Sequence, residues 1–177
     1  MTHAAKKQDS KLLTALFRNR EGAERAYESL RARGYTDREI NVLMSDATRD
    51  KYYKNTEESE IGNKALEGAG AGSAIGGALG AVIGGIAAIG TNVLLPGLGL
   101  VIAGPIAAAL VGAGAGGATG GLVGALIGWG IPEERAKYYE SGIKEGGTVV
   151  GVTPRSDEDA EYFETEWKTY DGQYIYR

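Results

Sequence analysis

The chain has 177 residues, with 19 basic and 23 acidic side chains, one histidine, no cysteine and a formal net charge of −4. That composition leaves no disulfide framework, thiol nucleophile or thiolate metal site, and it lacks the strongly basic surface that nucleic-acid binding demands. The length suffices for one or two domains with a real core, but the charges are confined to two flanks. Residues 1–67 carry a net charge of +1, residues 133–177 a net charge of −5, and residues 68–132 no charge at all.

Residues 1–10 read as a disordered polar tail holding His3. The apolar run Leu12 to Phe17 is too short for a signal-peptide core and leads into Arg18, Asn19 and Arg20, so no secretory signal is expected. KLLTALF (11–17) reads as a strand. Asn19 caps a helix whose Ala23, Ala26, Tyr27 and Leu30 recur at helical spacing, and Gly34 ends it. EINVLMS (39–45) is a second strand, with Ile40, Val42 and Met44 on one face and Asn41 and Leu43 on the other. Residues 11–50 thus form one half of a domain, and 51–67 an amphipathic connector whose acidic run Glu57-Glu58-Ser59-Glu60 is a solvated face.

Within 68–132, GAGAGSAIGGALGAVIG (68–84) recurs as GAGAGGATGGLVGALIG (112–128), with 12 of 17 positions identical. Gly112, Gly114 and Gly117 satisfy G-x-G-x-x-G, but no clear strand leads into them and the glycines run on for further turns, which disfavours a phosphate loop. The intervening Ile, Leu and Val disfavour a solvated linker. Gly68, Gly72, Gly76, Gly80 and Gly84, like Gly112, Gly116, Gly120, Gly124 and Gly128, fall every four residues and share one helix face. Small faces let helix backbones approach closely, so these ten glycines are the expected helix-packing and oligomerisation residues. Helices over 65–90 and 105–129, each about 37–39 Å long at ~1.5 Å per residue, would cross a bilayer as a hairpin with its tip at 91–104. Trp129, Tyr138 and Tyr139 would then seat at the membrane interface, and the flanking lysines and arginines would hold both termini in the cytoplasm.

In the second flank (133–177), Pro132 and the acids after it start an amphipathic helix that Gly146 and Gly147 end. TVVGV (148–152) is a third strand, Ser156 caps a helix bearing Ala160, Phe163 and Trp167, and QYIYR (173–177) is a fourth strand. The expected fold is α+β: a ferredoxin-like β-α-β/β-α-β domain interrupted between strands two and three by the glycine-zipper hairpin. On this reading the flanks fold alone once residues 46–147 are bypassed.

The segments LLTALFRNREGAERAYESLRARGYTDREINVL and PGLGLVIAGPIAAAL…GGLVGALIGWGIPEERAKYYESGIKEGGTVVGV resemble the bacterial general-stress, or heat-induced stress, protein family with a central glycine zipper. The resemblance covers roughly residues 11–152, is most specific from Gly120 to Val152, and implies a stress-associated, non-enzymatic protein with no catalytic residue to carry over. The functional expectation is a cytoplasmic domain anchored in the bacterial cytoplasmic membrane by a self-associating hairpin, with itself and membrane lipid as partners. The alternatives are an oligomeric pore-former and a soluble oligomer burying its hairpins in a shared protein core. No cofactor, metal, nucleic acid or small-molecule substrate is expected.

Overall fold

A computed structural model of the chain describes residues 12–52, 93–95, 99–107 and 121–177. Its elements in chain order are β1 (Leu13–Phe17), α1 (Arg20–Ala32), β2 (Ile40–Ser45), α2 (Asp46–Tyr52), β3 (Val93–Leu95), β4 (Leu100–Ala103), α3 (Gly121–Gly128), α4 (Glu133–Lys144), β5 (Thr148–Val152), α5 (Asp157–Thr169) and β6 (Gln173–Tyr176). The strands form one six-stranded sheet in the order β3-β4-β2-β5-β1-β6, and every neighbouring pair is antiparallel. The register is fixed at the centre by Ala15 opposite Val150 and by Val42 opposite Val150.

Local chemistry places the helices. The Asn19 side chain accepts from the Gly22 N–H at 2.6 Å and opens α1. Gly34 follows α1 with φ +83°, a conformation that glycine takes without a Cβ penalty. Ser156 accepts from the Asp159 N–H at 3.1 Å and opens α5.

Because side chains alternate across a strand, each inner strand faces both ways, and both faces are covered. On one, Leu13, Ala15, Phe17, Val42, Met44 and Val150 pack against Ala23, Ala26, Tyr27 and Leu30 of α1 and Phe163 and Trp167 of α5. Phe17 and Trp167 meet edge to face with ring centres 6.0 Å apart. On the other, Leu16, Leu43 and Val149 pack with Leu100 and Ile102 of β4, Leu122 and Leu126 of α3, and Ala136, Tyr139 and Ile143 of α4. Asn41 is a buried polar residue on this side. Its amide donates to the Gly151 carbonyl at 3.3 Å and its Oδ1 accepts from the Ile106 N–H at 2.9 Å, so the helical turn at 105–107 is capped from the sheet.

This architecture corrects the expected fold. A four-stranded ferredoxin-like domain interrupted by a long helical hairpin is not what forms: the tip segment supplies β3 and β4, which extend the sheet from β2. The helix expected over 105–129 is not continuous, because Gly121 has φ +55°, outside the right-handed helical region. Leu122 and Leu126 of α3 are buried in the chain's own second core, so these two side chains are covered by protein where lipid was expected. Among the described residues no helix is long and apolar enough to cross a membrane. The membrane anchor, the transmembrane hairpin, the lipid partner and the cytoplasmic-membrane location with both termini cytoplasmic are therefore withdrawn. The homo-oligomer inferred from a self-associating hairpin loses its support with them. The first expected span, 65–90, lies outside the described residues.

Candidate functional site

At one edge of the sheet β6 pairs with β1, and the register slips between them. Thr14 faces Tyr176 and Leu16 faces Gln173, so three steps along β6 match two along β1. The extra residue makes a bulge, and a bulge re-aims the side chains beside it. Tyr174 lies there with φ +51°, a region that costs a bulky residue free energy and persists only when its surroundings enforce it.

Two hydrogen bonds supply that enforcement. Tyr139 of α4 is fully buried, and its hydroxyl donates to the Tyr174 carbonyl at 2.8 Å. That hydroxyl in turn accepts from Thr14 Oγ1 of β1 at 2.8 Å, so a chain of two hydrogen bonds ties the bulge to the sheet interior. Burial pushes the Tyr139 phenol up to about 12, outweighing the downward pull of the Thr14 hydroxyl and the Arg135 charge, so it remains a donor.

With its backbone held, the Tyr174 ring lies almost parallel to that of Tyr138, with centres 4.5 Å apart and planes 12° from parallel. The Arg135 guanidinium lies 5.9 Å from the Tyr174 ring centre and 5.8 Å from that of Tyr176, within cation–π range. Arg135 and Tyr138 are three apart on α4, hence on one helix face, and Tyr174 and Tyr176 are two apart on β6. Together with Pro132 and Glu134 these four side chains line a cavity of about 310 Å³. Tyr138 and Tyr174 are 44% and 37% exposed, so its mouth reaches solvent.

The charges in the cavity are unspent. Glu133 pairs with Lys137 at 2.6 Å and Glu140 with Lys144 at 2.8 Å, one turn apart on α4. Among the described residues the Glu134 carboxylate has no ion-pair or hydrogen-bond partner, and Arg135 meets only the two tyrosine faces. An unpaired acceptor group and an unpaired donor fork thus sit in one aromatic cavity.

Of the residues expected to carry function, Gly68, Gly72, Gly76, Gly80, Gly84, Gly112, Gly116 and Gly120 lie outside the described residues. Gly124 and Gly128 are in α3, where a Cβ added to either would meet none of the described residues within 4 Å. Trp129 is half-buried against the second core, and Tyr139 is interior where a place at a membrane interface was expected. Tyr138 is exposed and stacked on Tyr174. Arg135, Tyr174 and Tyr176 were missed as site residues. The spacing of Arg135 to Tyr138 and of Tyr174 to Tyr176 was readable, but the bulge that brings the two pairs together has no signature in QYIYR. Among the described residues no group of three or more histidine, cysteine, aspartate or glutamate side chains is placed to hold a metal ion. No protein-family model, curated protein or solved structure matches the chain.

Proposed function

We propose that this chain is a non-enzymatic, stress-associated protein that acts by binding a ligand in the cavity between α4 and β6. The stress association rests on the resemblance of residues 11–152 to the general-stress family. The binding role rests on one observation: an aromatic cavity of about 310 Å³ lined by a carboxylate and an arginine that have no ion-pair or hydrogen-bond partner among the described residues. A cavity with a few converging polar groups on apolar walls is the usual form of a small-ligand site. Its lining offers a carboxylate, a guanidinium and phenols, and among the described residues no second polar side chain orients the carboxylate or a phenol as an acid–base or nucleophilic group would be oriented.

The test is genetic and biochemical together. Protein abundance should rise after heat or osmotic challenge, and deletion should lower survival. Wild-type protein should restore survival, whereas an Arg135→Gln/Tyr138→Ala double variant of unchanged thermal stability should not. Full complementation by the double variant would remove the cavity from the function. A turnover activity abolished by Glu134→Gln would overturn the non-enzymatic reading.

A further inference from the structure

We propose that Tyr138 and Tyr174 form an oxidative cross-linking site, at which a one-electron oxidant of the peroxidase class joins the two rings and staples β6 to α4. This role belongs to the stacked rings themselves and goes beyond the ligand reading of the cavity they line. Their centres are 4.5 Å apart and their planes 12° from parallel, so radicals formed on the two rings are in contact from the start. Both rings are exposed, so an oxidant acts on them without unfolding the chain. They stand on different elements, α4 and β6, so a bond between them closes a loop through β5 and α5. The stack is also held in advance. Tyr174 keeps its φ of +51° through the hydrogen bond that its carbonyl accepts from Tyr139, and that backbone setting aims its ring at Tyr138.

Each phenol gives one electron to the oxidant and its hydroxyl proton to water, leaving a phenoxyl radical with unpaired spin on the ring carbons beside the C–O carbon. One such carbon from each ring makes the new C–C bond. The hydrogen on each coupled carbon then leaves as a proton while the oxygen regains one, which restores two phenols. In sum one C–C bond replaces two C–H bonds, and two electrons and two protons pass to hydrogen peroxide, which becomes two waters. Other oxidisable groups are less well placed. The chain has no cysteine, and Met44 and Trp167 are fully buried. Tyr27, Tyr35 and Tyr139 are buried as well. Tyr35 and Tyr162 each meet Phe163 edge to face, and that ring has no hydroxyl to oxidise.

Oxidation of the full chain with hydrogen peroxide and a haem peroxidase tests the site. The isolated monomer should gain dityrosine fluorescence and lose the mass of two hydrogens. Trypsin should then release YYESGIK (138–144) joined to TYDGQYIYR (169–177), with fragmentation placing the bond at Tyr138 and Tyr174. Yield per chain should hold on roughly tenfold dilution, as for any intramolecular step. Tyr138→Phe and Tyr174→Phe keep a ring in the stack but have no O–H to give up. Each should lose the linked peptide, and Tyr162→Phe should retain it. The linked monomer should melt several degrees above untreated protein, because the closed loop restricts the unfolded chain. A yield that falls with dilution, a bond placed at other tyrosines, or oxidation of Trp129 without a linked peptide overturns the site. So does a linked peptide that survives either Phe substitution. A linked monomer that melts no higher overturns the staple. No ligand and no survival readout enters this experiment, so its failure leaves the binding role to be decided by complementation alone.

Discussion

Tyr139 shows how one hydroxyl governs a surface. It receives a hydrogen bond from Thr14 and gives one to the Tyr174 carbonyl, and both partners lose their match if it is removed. Tyr139→Phe should cost about 1–3 kcal/mol, the penalty for stranding buried polar groups, and should loosen the bulge. The phenol is held neutral to about 12, so its contribution is complete below the ordinary tyrosine value and is lost as pH rises from about 10 to 12. Denaturant titrations across that range should show a shallower alkaline decline in Tyr139→Phe than in wild type. Asp159 behaves in the opposite sense. The Tyr35 hydroxyl donates to it at 2.6 Å and Arg33 pairs with it, and these partners hold its carboxyl below the usual aspartate range. Its contribution is therefore complete above about pH 4 and disappears as pH falls through the lowered value. Asp159→Asn should cost roughly 1–2 kcal/mol at neutral pH, allowing for solvent screening, and the gap to wild type should close in acid. A gap independent of pH would show that the carboxylate charge is not what is used.

Glycines in two helices have opposite roles. In α4, a Cβ at Gly142 would run into the methyl groups of Leu16, which is buried on all sides. Ala at this position gains up to about 1 kcal/mol in helix propensity but overpacks the β1–α4 contact by about 1–3, for a net loss of roughly 1–2 kcal/mol. In α3, a Cβ at Gly124 would meet none of the described residues within 4 Å, so Gly124→Ala should instead stabilise by about 0.5–1 kcal/mol, read as a higher melting temperature. The contrast explains what was legible. Periodicity and caps mark elements when the partner is local, as with Asn19, Ser156 and the alternation in INVLMS. The four-residue glycine spacing also fits a helix, but it does not encode the partner. The partner of α3 proved to be α4, and Leu122 and Leu126 join the second core with it. Val93–Leu95 and Leu100–Ala103 fall in 91–104, expected as the tip of a helical hairpin, but its short apolar runs fit a strand hairpin equally well. The cavity was the least legible part, because its two halves come from α4 and β6 and meet through a bulge.

For the whole molecule, the decisive feature is that one sheet is buried on both faces. Bypassing residues 46–147 removes β4, α3 and α4, leaving Leu16, Leu43 and Val149 without cover. Each such side chain contributes roughly 1.5–3 kcal/mol when buried, against a total stability of ~5–15 kcal/mol for a small domain. A chain joining Ser45 to Gly147 by a short linker should therefore be unfolded or aggregated by circular dichroism and gel filtration, contrary to the independent domain expected from the flanks alone. A monomeric, cooperatively melting product would show that the α1/α5 face suffices. The strand order carries a consequence for the chain as it is made. β5 lies between β1 and β2 and bonds to both, while β1 and β2 do not bond to each other. A nascent chain emerging from the ribosome holds β1 and β2 long before it has the strand that joins them. Until residue 152 is free of the exit tunnel, the middle of the sheet is an open slot between two apolar edges, and a long uncharged stretch of chain hangs beside it. Synthesis of this protein thus has a vulnerable interval, set by topology, in which chaperone cover matters most.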